Sequence, residues 1–403
     1  MAGVVIIGGS FGGLTAALEL RRLLGRKAGI TVVSDTDVFT FMPSLPWIAM
    51  GWRKPKDITL DLNRILAGKG IAFLQAAVRM IDTEKQEVDT GASRLHYDYL
   101  VIATGAHLDF ETIPGLGPEK GFTNSIMTLD HAMETNRAWN RYLEGGGPVV
   151  VGATQGVSCF GPAYEFVFGV DHVLRKLGKR KKTPLFFVTS EPFLSHFGLG
   201  GVGKARRMME DEFAEKDIKA FTNATIKEIS PGRVSLADGT GLPFALSLFV
   251  PPFRGVDAVV ASGLGNAKGF IEVDKYFRHC AHPNVYAAGV AVALPPREAT
   301  PVPTGVPKTA YMTEHMAMLA AFNIAADIRG ADKRALPVDE LDVTCIADLG
   351  DRAVLMVAKP ALAPRQRIYL KKSRWALWLK KVFEKYFLLK VKRGLMHLPR
   401  ILW

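Results

Sequence analysis

The run Val4-Val5-Ile6-Ile7, followed at once by Gly8-Gly9-Ser10-Phe11-Gly12-Gly13, constrains this chain more than any other feature. Four consecutive apolar residues suit a parallel strand covered on both faces, and the glycines behind them end it in a tight turn. Leu14, Ala17, Leu18 and Leu24 then supply one apolar helical face, and Ile30-Thr31-Val32-Val33 reads as the next strand. Strand, glycine turn, helix and strand in this order form a βαβ unit whose helix N-terminus can receive the pyrophosphate of a dinucleotide. Ser10 replaces the middle glycine of the usual G-x-G-x-x-G pattern; it is small and can donate a hydrogen bond to phosphate. Ser34 ends the second strand with Asp35 directly behind it, and Asp35 is the carboxylate expected on the adenosine ribose.

At 403 residues the chain has material for two or three domains. Hydrophobic residues make up 48%, yet no stretch approaches the roughly 18 uninterrupted apolar residues of a membrane-spanning helix. Met1 to Gly9 lacks the basic start and cleavage site of a secretory signal, so export by that route is not expected. The formal charge of +12 is concentrated at one end: Lys359 to Trp403 holds thirteen Lys and Arg against a single acid, Glu384, and the rest of the chain is balanced. Cys159, Cys280 and Cys345 are too few and too dispersed for a disulfide framework or a metal site. Chemistry at any of them is therefore redox or nucleophilic.

Two further blocks complete the organisation. Tyr97-Asp98-Tyr99-Leu100-Val101-Ile102-Ala103-Thr104-Gly105 is a strand running into a small-residue turn, and Asn284-Val285-Tyr286-Ala287-Ala288-Gly289-Val290 is another. With the opening motif these resemble the two-dinucleotide-binding-domain flavoproteins, which implies non-covalent FAD held by Gly8 to Gly13, Ser34 or Asp35, Ala103-Thr104-Gly105 and Gly289. Val290 stands where that family usually has an aspartate. A second βα start, Pro148-Val149-Val150-Val151-Gly152-Ala153-Thr154-Gln155-Gly156, occupies the place of a nicotinamide-binding loop. Bulky Val157 replaces its third glycine and Pro162 stiffens the region where a second pyrophosphate would rest, so nicotinamide binding is expected to be lost.

Cys159 lies on the turn opening the helix after that loop, where the positive end of the helix dipole favours a thiolate. Spacing alone leaves both Cys280 and Cys345 as partners. Ser158-Cys159-Phe160-Gly161-Pro162-Ala163-Tyr164-Glu165-Phe166 and Thr344-Cys345-Ile346-Ala347-Asp348-Leu349-Gly350-Asp351 are similar to the two cysteine segments of sulfide:quinone oxidoreductases. Blocks at 41–47, 191–203, 295–305 and 383–388 agree, so the likeness spans nearly the whole chain. The resemblance implies a two-cysteine relay in which hydrosulfide attacks a disulfide-bridged or sulfur-bridged Cys159/Cys345 pair and the electrons leave through FAD to a membrane quinone. It places Cys345 against the flavin and Cys159 on the sulfide side, with the reverse order still open. Glu165, His131 and His196 are the candidate proton-handling groups, and Thr304, Gly305 and Lys308 are placed at the flavin, Lys308 over its pyrimidine edge. Met127 takes the position of a third cysteine found in many members, so no role needing that thiol exists here; Cys280 matches no catalytic position.

Pro360 and Pro364 are read as separating a tail from the body. In it Trp375, Trp378, Leu379, Val382, Phe383, Tyr386 and Leu389 fall on one helical arc, with Lys380, Lys381 and Glu384 opposite. Tryptophans and lysines in this pattern suit an anionic bilayer surface rather than nucleic acid. The resemblance adds that this region frames a quinone pocket, with Phe383 and Lys380 lining it. The expected fold is thus α/β: two Rossmann-like domains and an amphipathic C-terminal region on the cell membrane. The expected boundaries are 1–113 and 284–335 for FAD, 114–283 for the second domain with Cys159, and 336–403 for the C-terminal region. A homo-oligomer stays open. The alternatives are an NAD(P)H:quinone dehydrogenase of the same architecture, and a membrane-bound sulfur carrier without turnover.

Overall fold

The computed structural model describes residues 1–395. Five parallel strands form the first sheet in the order Val285–Ala287, Tyr99–Ile102, Ala2–Ile7, Ala28–Ser34, Ala72–Gln75. Val4 to Ile7 are all buried, as a strand covered on both faces requires. Helix Phe11–Leu24 leads from the first strand to the second and packs on the 20-residue helix Ala310–Arg329. Because all five strands are parallel, Gly8, Ala103 and Ala288 follow strand ends, and Ser34 closes its strand, at the same edge of the sheet. Ligands of open α/β sheets bind at that edge, where the chain leaves the central strand to either side.

A second parallel sheet, ordered Lys219–Phe221, Leu185–Thr189, Val149–Ala153, Leu246–Val250, repeats the scheme. Helix Gly161–Lys176 follows its central strand and starts with Pro162 in the first turn, where a missing N–H costs nothing. That helix packs against Val343–Asp348, the first strand of a three-stranded antiparallel sheet completed by Ala353–Lys359 and Arg367–Ser373.

The basic C-terminal region is part of the body, contrary to its expected separation as a tail. Arg367–Ser373 pairs along its length with Ala353–Lys359, and helix Arg374–Lys392 follows directly, capped by Ser373 Oγ accepting from Ala376 N. The expected polar face is also corrected. Lys380, Glu384 and Lys390 point inward and are buried, whereas Trp375 and Trp378 are exposed, at 56% and 59%. Val382 and Leu389 are exposed beside them, and Lys381 stays at the surface as expected. A buried charge is tolerated only when paired, and each inward charge has its partner. Lys380 pairs with Glu165, Glu384 with Arg53, and Lys390 with Glu314. Phe387 adds an apolar anchor, its ring 5.1 Å from Phe11 and 5.2 Å from Phe41, worth about 2–3 kcal/mol of burial. Among the described residues no helix is long and apolar enough to cross a membrane. Residues 396–403 of the expected C-terminal region lie outside the described ones.

Candidate active site: two glycine turns and a thiol pair

The first glycine turn is open toward the edge of its sheet. Gly8 has φ +108°, and a Cβ there would meet the Ala103 carbonyl oxygen at 2.3 Å; at Gly13 a Cβ would meet the Gly8 oxygen at 1.8 Å. These glycines therefore hold strand, turn and helix at a separation no other residue permits. Helix Phe11–Leu24 carries no side-chain cap on Ser10 and no acid in its first turn, so its N-terminal N–H groups are free to meet an anion. Gly105, beside Ala103 and Thr104, has φ +73° and open space where a Cβ would stand. The donor set and the cradle fit the pyrophosphate of FAD. On the ribose side Ser34 is buried, its Oγ 3.2 Å from where a Gly9 Cβ would be, while Asp35 is exposed one residue further on. Gly289, at φ +77°, donates its N–H to Met316 Sδ.

The second glycine turn is filled by protein. Gly156 N donates to the Pro303 oxygen at 2.7 Å, and Gly305 N donates to the Val157 oxygen at 2.7 Å. Gln155 closes the side, its amide exchanging hydrogen bonds with both backbone groups of Ile226. Val157 is fully buried. The Gly156 and Val157 N–H groups are thus spent on Pro303 and Thr154, and the segment around Thr304 and Gly305 occupies the turn and braces the Cys159 side. A Cβ on Gly305 would meet Ser158 Cβ at 2.7 Å. Thr304 is buried, its hydroxyl 3.2 Å from that of Thr300.

Beyond this turn Cys159 and Cys345 are free thiols close enough for Cys345 to act electrostatically on Cys159, while Cys280 is exposed. Both of the paired residues keep partly accessible surface, yet their sulfur ends are deep in protein. Burial pushes the Cys159 thiol up to about 12, helped by Cys345 and then by Glu165. Cys345 is pushed up to about 11 by burial and by Glu165, with Lys380 opposing. The thiolate expected from the helix start is therefore corrected: desolvation and two neighbouring acids outweigh the helix end. A base is needed to ionise either thiol.

Glu165 is the carboxyl group that acts on both thiols. Lys380 Nζ lies 2.6 Å from both of its oxygens and Asp348 N donates to Oε1 at 3.2 Å. Burial raises the Glu165 carboxyl above its ordinary range, Lys380 pulls it down, and the nearby Asp348 carboxylate pushes it up again. Around this group Trp47 Nε1 donates to Asp348 Oδ2 at 2.7 Å, and Arg53 Nε and Ser44 Oγ both donate to Glu384.

The two histidines are committed elsewhere. His131, at the start of helix Leu129–Gly145, has Nε2 2.6 Å from Glu119. His196 is buried, accepts from Gly198 N at Nδ1 and meets Glu298 through Nε2 at 2.9 Å. His196 belongs to the loop packed on the Cys159 brace, since Gly198 lies so close that a Cβ would meet the Gly305 oxygen at 1.8 Å. Lys308 precedes helix Ala310–Arg329, donates to the Val292 oxygen at 2.8 Å and lies over the Phe270 ring; burial pushes its ammonium down to about 8. Phe383 is half-buried, its ring 6.2 Å from Phe41 and 5.8 Å from Phe387.

Sequence reasoning gave no role to Trp47, Asp348, Arg53 or Glu191. Glu191 follows strand Leu185–Thr189 closely and is fully buried, accepting from Phe197 N, Tyr164 OH and Thr189 Oγ1 at 2.7–2.8 Å. Burial pushes it up to about 7. Its signal was visible as a carboxylate just past the end of an apolar parallel strand, the edge at which such sheets place functional groups.

A protein with these two sheets and an open first glycine turn is a dinucleotide-dependent oxidoreductase. The chain belongs to the pyridine nucleotide-disulphide oxidoreductase family, whose model matches residues 2–318. Over 399 residues it is 42% identical to the sulfide-quinone reductase of Aquifex aeolicus (strain VF5), covering 97% of this chain and 91% of that protein. The X-ray structure of the sulfide:quinone oxidoreductase from the same species superimposes with a TM-score of 0.94 at 41% identity, over 98% of this chain and 92% of that one. The mitochondrial sulfide:quinone oxidoreductase of Mus musculus is 25% identical over 309 residues, 72% of this chain and 66% of that protein. An NADH dehydrogenase-like protein of Mycobacterium tuberculosis (strain ATCC 25618 / H37Rv) is 30% identical over 308 residues, 73% of each chain.

Proposed function

We infer that the protein oxidises sulfide to sulfur or polysulfide and reduces a quinone. The observation that carries this is that two thiols 186 positions apart, Cys159 and Cys345, both feel the Glu165 carboxyl, in a chain so similar to sulfide-quinone reductases. Gly8 to Gly13, Ala103 to Gly105 and Gly289 would hold FAD, which would supply two-electron transfer between the thiol site and the quinone. Glu165 takes the proton from the attacking sulfur species, and Lys380 keeps its carboxylate ionised for that task. In the oxidised state, with Cys159 and Cys345 disulfide-bridged, hydrosulfide attacks Cys159, the Cys159–Cys345 bond breaks, and Cys345 leaves as a thiolate on the flavin side, carrying the electron pair that FAD would take up. Lys308, half-buried between the Val292 oxygen and the Phe270 ring, supplies positive charge toward the flavin's pyrimidine edge. His131 and His196 brace their loops, with His196 steadying the sulfide side.

Residues 1–113 and 284–335 form the FAD part in this reading, 114–283 the second domain and 336–403 the quinone and membrane part. Trp375, Trp378, Val382 and Leu389 enter the headgroup boundary together with Ile368 and Tyr369 of the adjoining strand, all exposed. Exposed Lys371, Arg374, Lys381 and Lys385 meet anionic lipid beside them. Half-buried Phe383 then lines the quinone's path, with Lys380 behind it. Steady-state quinone reduction with sulfide as donor tests donor, acceptor and turnover together. No reduction above the buffer rate with FAD-loaded protein in lipid would refute the assignment.

A further inference from the structure

Trp47 is buried, 2% exposed, on the short helix Leu45–Ala49, and three charged groups converge on its side chain. Lys380 Nζ lies 4.9 Å from the ring centroid and the Arg53 guanidinium carbon 4.5 Å from it. The indole Nε1 donates to Asp348 Oδ2 at 2.7 Å. Two of these three lead to the same carboxylate: Lys380 Nζ sits 2.6 Å from both Glu165 oxygens, and Asp348 N donates to Glu165 Oε1. The third leads into the C-terminal helix, since Arg53 Nε pairs with Glu384 at 2.9 Å. Simple packing explains neither two cations against one ring nor an indole N–H aimed at a buried carboxylate.

We propose that Trp47 is a positioning residue of the thiol site: its ring fixes the Lys380 ammonium and its N–H fixes the Asp348 carboxylate, and these two hold Glu165 beside Cys159 and Cys345. The inference rests on the reading above, in which Glu165 and the thiols are the reacting groups. A lysine side chain has many rotamers, so an ammonium needs a platform to stay at one distance from a partner. An aromatic face provides one without neutralising the charge. The charged and titratable groups facing Glu165 are Lys380, Asp348, Cys159 and Cys345. Lys380 alone among them favours ionisation of Cys345, so releasing it must make that thiol harder to ionise.

The test measures alkylation of Cys345 by iodoacetamide against pH in reduced, FAD-loaded protein, read by peptide mass spectrometry with exposed Cys280 as internal control. Trp47→Leu should slow Cys345 at pH 8 about tenfold, the signature of a one-unit upward displacement of its profile. Trp47→Phe, which keeps a ring but no N–H, should slow it about threefold and decides the matter where the leucine variant does not fold. Lys380→Met should match Trp47→Leu, and the double variant should be no slower than Lys380→Met, because the tryptophan acts through the lysine. Cys280 should not change. Superposition of the Trp47→Phe profile on that of the unaltered protein would overturn the proposal, as would losses that multiply in the double variant. Alkylation needs no sulfide, so failure of the sulfide assignment shows separately, as unaltered protein whose flavin sulfide does not bleach.

Discussion

The two strand-to-helix glycine turns share a design and differ in what meets their backbone donors. At Gly8 to Gly13 the helix N-terminus is uncapped and open, whereas in the second turn Gly156 N donates to Pro303, Val157 N donates to Thr154, and the Val157 oxygen accepts from Gly305 N. The first turn can take a phosphate; the second is already full. Filling it fixed the residue that follows, for the brace at Gly305 touches Ser158 and so sets where Cys159 points. One architecture thus yields a cofactor site on one sheet and a thiol mount on the other.

The sharpest way to break this comparison is to remove the thiols. Cys159→Ala and Cys345→Ala should each lower sulfide-dependent flavin reduction about a thousandfold or more in anaerobic stopped-flow, with flavin content unchanged. Full activity in either would take that cysteine out of the scheme. Next come the glycines. Gly8→Ala or Gly13→Ala forces a Cβ into backbone and should yield protein without bound flavin, seen as loss of the visible absorbance. Gly305→Ala should keep the flavin and slow its reduction by sulfide about tenfold, since only the Cys159 turn must shift. Equal flavin loss in both would erase the distinction between the turns.

A smaller effect is expected from pH. Lys380→Met removes the group that holds the Glu165 carboxyl down, so the acid limb of the sulfide-dependent rate should move to higher pH by about one unit. A limb that moves to lower pH would exclude Glu165 as the base. The smallest effect concerns stability. Glu191 holds its proton up to about 7 in the fold, against an ordinary value of 4.5, so the native state binds more protons than the unfolded chain between those values. Stability from this group is present below about pH 4.5 and is lost as pH rises to about 7, by about 3 kcal/mol at most. Melting curves should show a decline of a few degrees across that window which is missing in Glu191→Gln.

Most of the fold could be read from the chain because its parallel strands are continuous apolar runs ending in glycine, a pattern set by local sterics and burial. The FAD turn was legible for the same reason; in the second loop buried Val157 was legible, whereas Pro303 and Gly305, which fill it, come from far along the chain. The thiol pair was legible only through resemblance, because no spacing brings position 159 to position 345. Helix amphipathicity identified the exposed tryptophans but misplaced Lys380 and Glu384, and gave no inward place to Lys390. Their inward direction depends on Glu165, Arg53 and Glu314, hundreds of positions away for the first two, and no window of sequence contains both partners. The thiolate expected at Cys159 failed likewise: the helix start is local, the desolvation that overrides it is tertiary.

The most direct measurement is anaerobic mixing of the FAD-loaded protein with sulfide in one syringe experiment and NADH in another, following the flavin absorbance. Sulfide should bleach the flavin rapidly and NADH should leave it oxidised. Rapid bleaching by NADH, with none by sulfide, would contradict the account at both turns.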